Sequence, residues 1–135
     1  MAKKIEDIEG VGPSYGAKLR AAGCRNVEQL LEMGCTKKGR EHIAAKTGLS
    51  EGNILKWVNH ADLFRVKGIA SQYAELLECA GVDTVKELRN RNAENLAEKM
   101  ADINKQKRLV RNVPSAKVIA GWVAQAKVLQ PKVTH

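Results

Sequence analysis

The chain has 135 residues, 44% of them hydrophobic and only 4% aromatic, and 23 basic side chains against 15 acidic ones give a formal charge of +8. One globular domain is the natural reading of that length, and the basic balance points to an anionic partner without bearing on the fold. The scarcity of aromatics argues against base-stacking single-strand recognition, no run approaches the ~20 apolar residues of a membrane span, and the odd set Cys24, Cys35 and Cys79, with no Cys-x-x-Cys, argues against a disulfide framework and for a reducing cytoplasm.

The first nine residues, Met-Ala-Lys-Lys-Ile-Glu-Asp-Ile-Glu, carry no apolar stretch behind their charges, so no signal peptide is expected there. An opening segment ends on Ile8, and Glu9-Gly10-Val11-Gly12 reads as a tight turn. A helix over 13–22 follows, with Pro13 suited to its first position and Gly23 to a left-handed end. Asn26 is placed to cap a short helix carrying Val27, Leu30 and Leu31; Thr36 caps the next, which Gly48 stops. Ser50 starts a helix whose apolar residues Ile54, Trp57, Val58 and Ala61 recur at helical spacing. The second half runs in the same order. Val66 precedes the turn Lys67-Gly68-Ile69-Ala70, a helix over 71–80 ends at Gly81, and Asp83 or Thr84 caps a short helix with Val85 and Leu88. Asn92 opens a helix containing Leu96, Met100 and Ile103, and Pro114 or Ser115 opens the last, with Val118, Ile119, Trp122, Val123, Ala126 and Leu129. No segment alternates with period two, so an all-α fold is expected.

The parallel order reflects an internal repeat. Ile5 to Leu31 aligns without gaps on Leu63 to Arg89 at an offset of 58, with seven of 27 pairs identical. The identities, Gly10/Gly68, Tyr15/Tyr73, Leu19/Leu77, Ala22/Ala80, Gly23/Gly81, Val27/Val85 and Leu30/Leu88, fall mainly on glycines and helical-period apolar residues, where physics restricts the choice. Further on, Ile54-Leu-Lys-Trp57-Val resembles Ile119-Ala-Gly-Trp122-Val. The expected organisation is therefore a first repeat over 1–62 and a second over 63–135, the latter holding a basic segment at 105–117, packed as one compact unit with both tryptophans in the core.

Ile8-Glu-Gly10-Val11-Gly12-Pro-Ser-Tyr-Gly16-Ala-Lys-Leu19 resembles a helix–hairpin–helix motif: an apolar residue, Gly-apolar-Gly, a small residue four positions on, then an apolar one. The second copy has Gly68-Ile69-Ala70, Ala74 and Leu77, with alanine in place of the second glycine. The chain as a whole, including Trp57-Val-Asn-His-Ala-Asp-Leu63 and Lys107-Arg-Leu-Val-Arg111, resembles a bacterial tandem helix–hairpin–helix family of unknown function (domain-of-unknown-function type four-three-three-two). What the broader motif implies is sequence-independent contact with DNA phosphates; whether carbonyls of the first turn also hold a monovalent cation is left open by the sequence. The physics is consistent with phosphate contact. A turn before a helix N-terminus presents N–H groups without intrahelical partners, the helix dipole favours an anion there, and glycine leaves the backbone open to approach. The same turns also serve as plain helix connectors or protein-docking surfaces. The second ranks behind the first, because it lacks a glycine and its helix carries Glu75 and Glu78, with Lys67 as compensation.

The positive charge is unevenly spread. Residues 1–35 and 63–100 are each neutral, 36–62 carry +2, and 101–135 carry +6. Were 105–111 helical, Lys105, Lys107, Arg108 and Arg111 would cover one face and Leu109 and Val110 the other, giving a basic helix face for a phosphate ladder or an acidic protein, or else a merely solvated one. Nothing catalytic is legible. His42, His60 and His135 lack metal spacing, Cys35 with His42 makes a lone pair, and Glu6, Asp7 and Glu9 fit the start of a helix better than a metal. No Walker, dinucleotide or Gly-x-Ser-x-Gly motif is present.

The expected protein is non-enzymatic and cytoplasmic, with no cofactor, metal, small-molecule substrate or membrane partner. It binds nucleic acid, duplex DNA rather than RNA, without sequence preference. The expected contacts are Gly10, Val11, Gly12 and Lys18 in the first repeat, and Lys67, Gly68, Lys105, Lys107, Arg108 and Arg111 in the second. The alternative is an adaptor that docks an acidic or helical protein on the same surfaces.

Overall fold

A computed structural model describes residues 3–135 and holds eight α-helices after one 3-10 turn, Ile5–Asp7. The helices are α1 Gly12–Ala21, α2 Val27–Gly34, α3 Lys37–Thr47, α4 Glu51–Leu63, α5 Ser71–Cys79, α6 Val85–Leu88, α7 Ala93–Lys107 and α8 Ala116–Val128. Among the described residues there is no strand; Lys4 and Asn26 form an isolated bridge. The fold is all-α, as the helical spacing of the apolar residues requires.

Local chemistry sets the helix ends. Side-chain oxygens of Asn26, Thr36, Ser50, Thr84, Asn92 and Ser115 accept from backbone N–H groups three residues on, at 2.8–3.2 Å, and so open α2, α3, α4, α6, α7 and α8. Each such bond satisfies one of the four N–H groups that a helix start leaves unpaired. α1 and α5 end alike: the Gly23 and Gly81 N–H groups donate to Arg20 and Glu78 carbonyls, and the next residues, Cys24 and Val82, reach back to Leu19 and Leu77. That pair of bonds is the Schellman ending.

The chain divides into two compact units, one running to Asp62 and including Lys132–His135, the other Leu63–Pro131. In the first unit Ile5, Ile8, Val11, Leu19, Cys24, Val27 and Leu30 are all at most 3% exposed. In the second, the residues 58 positions on, Leu63, Val66, Ile69, Leu77, Val82, Val85 and Leu88, are equally buried. Trp57 is buried in the first unit and Trp122 in the second.

The last four residues lie within the stretch 63–135 expected as the second repeat but belong to the first unit. Arg40, 4% exposed, explains the placement: its guanidinium donates to the Gly34 carbonyl at 2.8 Å and to the Thr134 carbonyl at 2.6 Å. The Thr134 N–H returns to the Cys35 carbonyl at 2.8 Å, Val133 is buried, and Lys132 pairs with Glu32 at 3.1 Å. Arg40→Met keeps the aliphatic stem but leaves the buried Gly34 carbonyl unpaired. It is expected to cost about 1–3 kcal/mol in chemical denaturation. It should also speed hydrogen exchange at the Thr134 amide, whereas unchanged exchange there would show that Arg40 does not hold the segment.

Candidate nucleic-acid interface

The two glycine turns have the same hydrogen bonds. In the first, Ile8 N–H donates to Ile5 and Val11 N–H to Ile8, both at 3.2 Å; in the second, Val66 donates to Leu63 at 3.1 Å and Ile69 to Val66 at 3.3 Å. Buried Ile8 and Val11, or Val66 and Ile69, anchor each turn to its unit, while Gly10 and Gly68 stay exposed at φ +88° and +98°. A tryptophan lies against each glycine. A methyl built on Gly10 would sit 4.0 Å from Trp57 Nε1, and one on Gly68 only 2.9 Å from Trp122 Nε1. Tyr15 and Tyr73 lean on the same indoles, with ring centroids 5.3 and 5.5 Å apart.

The turns part where the sequences part. Gly12 begins α1 at φ +64°, in left-handed backbone that a side chain disfavours, whereas Ala70 stands at φ −97°, ψ 178° and precedes α5 in extended backbone. Neither helix receives a side-chain cap. The first turn of α1 leaves the N–H groups of Gly12, Ser14 and Tyr15 without intrahelical partners, Pro13 having none to offer. Two of the expected contacts stand apart from these donors. Val11 is 2% exposed and its N–H is engaged inside the turn, so it offers no donor. Lys18 is exposed but lies in the last turn of α1, six residues or about 9 Å along the axis from Gly12. In the second turn the side chain of Lys67 is exposed, but its backbone N–H and C=O are both taken by the Gln125 carboxamide, at 2.9 and 3.2 Å.

The basic segment does not form one helical face. α7 ends at Lys107, and Arg108 closes it in left-handed conformation at φ 51°, ψ 47°, its N–H on the Asn104 carbonyl at 2.8 Å. The Asn104 side chain then clamps Val110, accepting from its N–H and donating to its C=O, both at 3.0 Å. That clamp replaces helical continuation and turns Val110 inward, 9% exposed. Only Lys105 and Lys107 are on the helix; Arg108 terminates it and Arg111 stands in the following loop. All four cations are exposed, and none makes an ion pair among the described residues. α5 packs on α7, and Arg108 and Arg111 line a cavity together with Ala70, Gln72 and Tyr73 from the start of α5. The second turn, ranked behind the first on its sequence, is thus the one that lies with arginines. Of Gln72, Tyr73, Asn104, Asn112 and Gln125, the sequence marks only Tyr73, through its identity with Tyr15.

Several other titratable groups are held by local contacts. The Arg20 guanidinium bonded to Glu6 holds that carboxyl below its ordinary range, and Asp7 accepts from the Lys4 N–H at 3.1 Å. Burial pushes the Cys24 thiol up to about 11, leaving it protonated and unreactive at neutral pH. The Cys35 thiol donates to the Glu32 carbonyl at 3.4 Å. No helix among the described residues is long and apolar enough to cross a membrane.

No solved structure matches the chain. Its residues 9–129, by contrast, match the family described as Domain of unknown function (DUF4332), and with most of its length covered the chain belongs to that family.

Proposed function

We propose that this protein is a non-enzymatic, cytoplasmic, sequence-independent binder of nucleic acid, with duplex DNA as its ligand and helix–hairpin–helix turns as its contact elements. One observation carries the reading. Six of the eight helices begin on a side-chain cap, and the two that do not, α1 and α5, are the two that follow the glycine turns. An uncapped helix start presents unpaired N–H groups and a positive dipole end, which suit a phosphate oxygen. The four exposed cations at 105–111 supply the long-range attraction that backbone donors lack. Contacts of this kind position a protein on a duplex and carry no base identity.

The test is fluorescence anisotropy with duplexes of unrelated sequence, 5′-hydroxyl at each end, titrated across salt. Affinity is expected to agree between sequences within a few fold and to fall linearly in log–log form as salt rises. Absence of duplex binding at low salt, alongside saturable binding of an acidic protein, would replace this reading by the adaptor reading.

A further inference from the structure

The cavity at the start of α5 has a volume of about 590 Å³, inside the range of roughly 300–1,000 Å³ for pockets that hold small ligands. Its lining includes Arg108 and Arg111 and no acidic residue. Neither guanidinium has a hydrogen-bond or ionic partner among the described residues. Two unpaired arginines on one concave wall, with no acid to offset them, make a strongly anion-selective surface.

The wall is also fixed in shape. Asn104 holds Val110 through both its backbone groups, and the Tyr73 hydroxyl donates to the Asn112 carbonyl at 3.3 Å. The loop that carries Arg108 and Arg111 is therefore tied to α7 on one side and to α5 on the other. The backbone that carries the two arginines therefore needs no reordering when a ligand enters, and the ordering cost falls on the two side chains. Tyr73, Leu109 and Val110 give the same cavity an apolar side, which inorganic phosphate alone would leave unused.

We propose that this cavity binds a phosphate monoester attached to a nucleoside-sized group, with the phosphate held by Arg108 and Arg111. A monoester carries about −1.5 to −2 charges and three free acceptor oxygens, which match two guanidinium forks; a backbone diester carries one charge. The apolar side takes the organic group. The proposal rests on the nucleic-acid reading for the identity of that group. Two sources share the chemistry, a free mononucleotide and the 5′-phosphorylated end of a strand.

The experiment titrates the full chain with adenosine 5′-monophosphate and with adenosine, and separately with one oligonucleotide bearing a 5′-phosphate or a 5′-hydroxyl. The phosphorylated member of a pair is expected to bind at least about tenfold tighter, as loss of a charge-assisted hydrogen bond implies. Arg111→Gln and Arg108→Gly should each remove most of that preference, the glycine also suiting the left-handed backbone at 108. Lys127→Gln, an equal charge change on α8 away from the cavity, should leave it intact. Whichever phosphorylated ligand binds tighter names the source, and either order supports the proposal. Equal binding of phosphorylated and unphosphorylated members in both pairs overturns it, as does an unaltered preference in both arginine variants. Backbone amide shifts in the unmodified protein give a readout independent of any variant. With adenosine 5′-monophosphate they should cluster at Gln72, Tyr73 and Arg108 to Asn112, and a cluster elsewhere overturns the site. The 5′-hydroxyl duplexes report the broader reading alone: if they fail while the mononucleotide binds, that reading falls and the cavity stands.

Discussion

Neutralising Lys105, Lys107, Arg108 and Arg111 together is expected to flatten the slope of log affinity against log salt for duplex DNA by up to roughly 3.6, at about 0.9 for each phosphate that no longer meets a cation. All four side chains are exposed and unpaired, so each is available to displace a counterion. The weakening should be similar for unrelated duplexes, since phosphates carry no base identity. Gly12→Leu makes the contrasting case. A Cβ at Gly12 would meet nothing within 4 Å, so the substitution begins in open space at the start of α1. It obstructs backbone approach and changes no charge. Affinity should fall while the salt slope stays nearly as it was, provided circular dichroism shows that the left-handed residue has not unfolded α1. Two variants with the same slope and the same affinity as the unaltered chain would remove both contact elements at once, and leave the acidic-protein adaptor as the surviving reading.

What could be read from the sequence follows the range of the forces involved. Asn26, Thr36, Ser50, Asn92 and Ser115 announce helix starts because each cap bond spans three residues, and Gly23 and Gly81 announce helix ends for the same reason. The buried series at an offset of 58 is legible because the repeat sets apolar residues at matching positions, in the turns as well as on the helix faces. The end of α7 is harder, since no glycine or proline stands at 108. An arginine occupies the left-handed position, and the stop is enforced by the Asn104 carboxamide closing on Val110. An asparagine inside a helical pattern gives no sign that it will do so. The cavity is harder still. Ala70 and Arg108 are distant in the chain and come together only through the packing of α5 on α7. The bond from Arg40 to Thr134 spans 94 residues, and a lone arginine on an amphipathic helix does not name its partner.

The glycine turns themselves should differ sharply in their tolerance of a methyl group. Gly10→Ala and Gly68→Ala both force a side chain into left-handed backbone, at φ +88° and +98°, and that alone should cost about 1–2 kcal/mol in each case. At Gly10 the new methyl meets Trp57 Nε1 at 4.0 Å, an ordinary contact. At Gly68 it would stand 2.9 Å from Trp122 Nε1, and the ring is 4% exposed with Tyr73 against it. The indole must move or the turn must open, and overpacking of that kind adds about 1–3 kcal/mol. Gly68→Ala is therefore expected to be the more damaging change by that margin in urea denaturation. It should also alter the near-ultraviolet circular dichroism of tryptophan, which Gly10→Ala should leave nearly unchanged. The cause is separable from backbone strain by a double-mutant cycle. Trp122→Phe removes the indole nitrogen that the methyl meets, so in that background the cost of Gly68→Ala should fall to about the cost of Gly10→Ala. A penalty at Gly68 that persists undiminished with phenylalanine at 122 would place the whole effect in the backbone, and would mean that the tryptophan lies against the turn without constraining it.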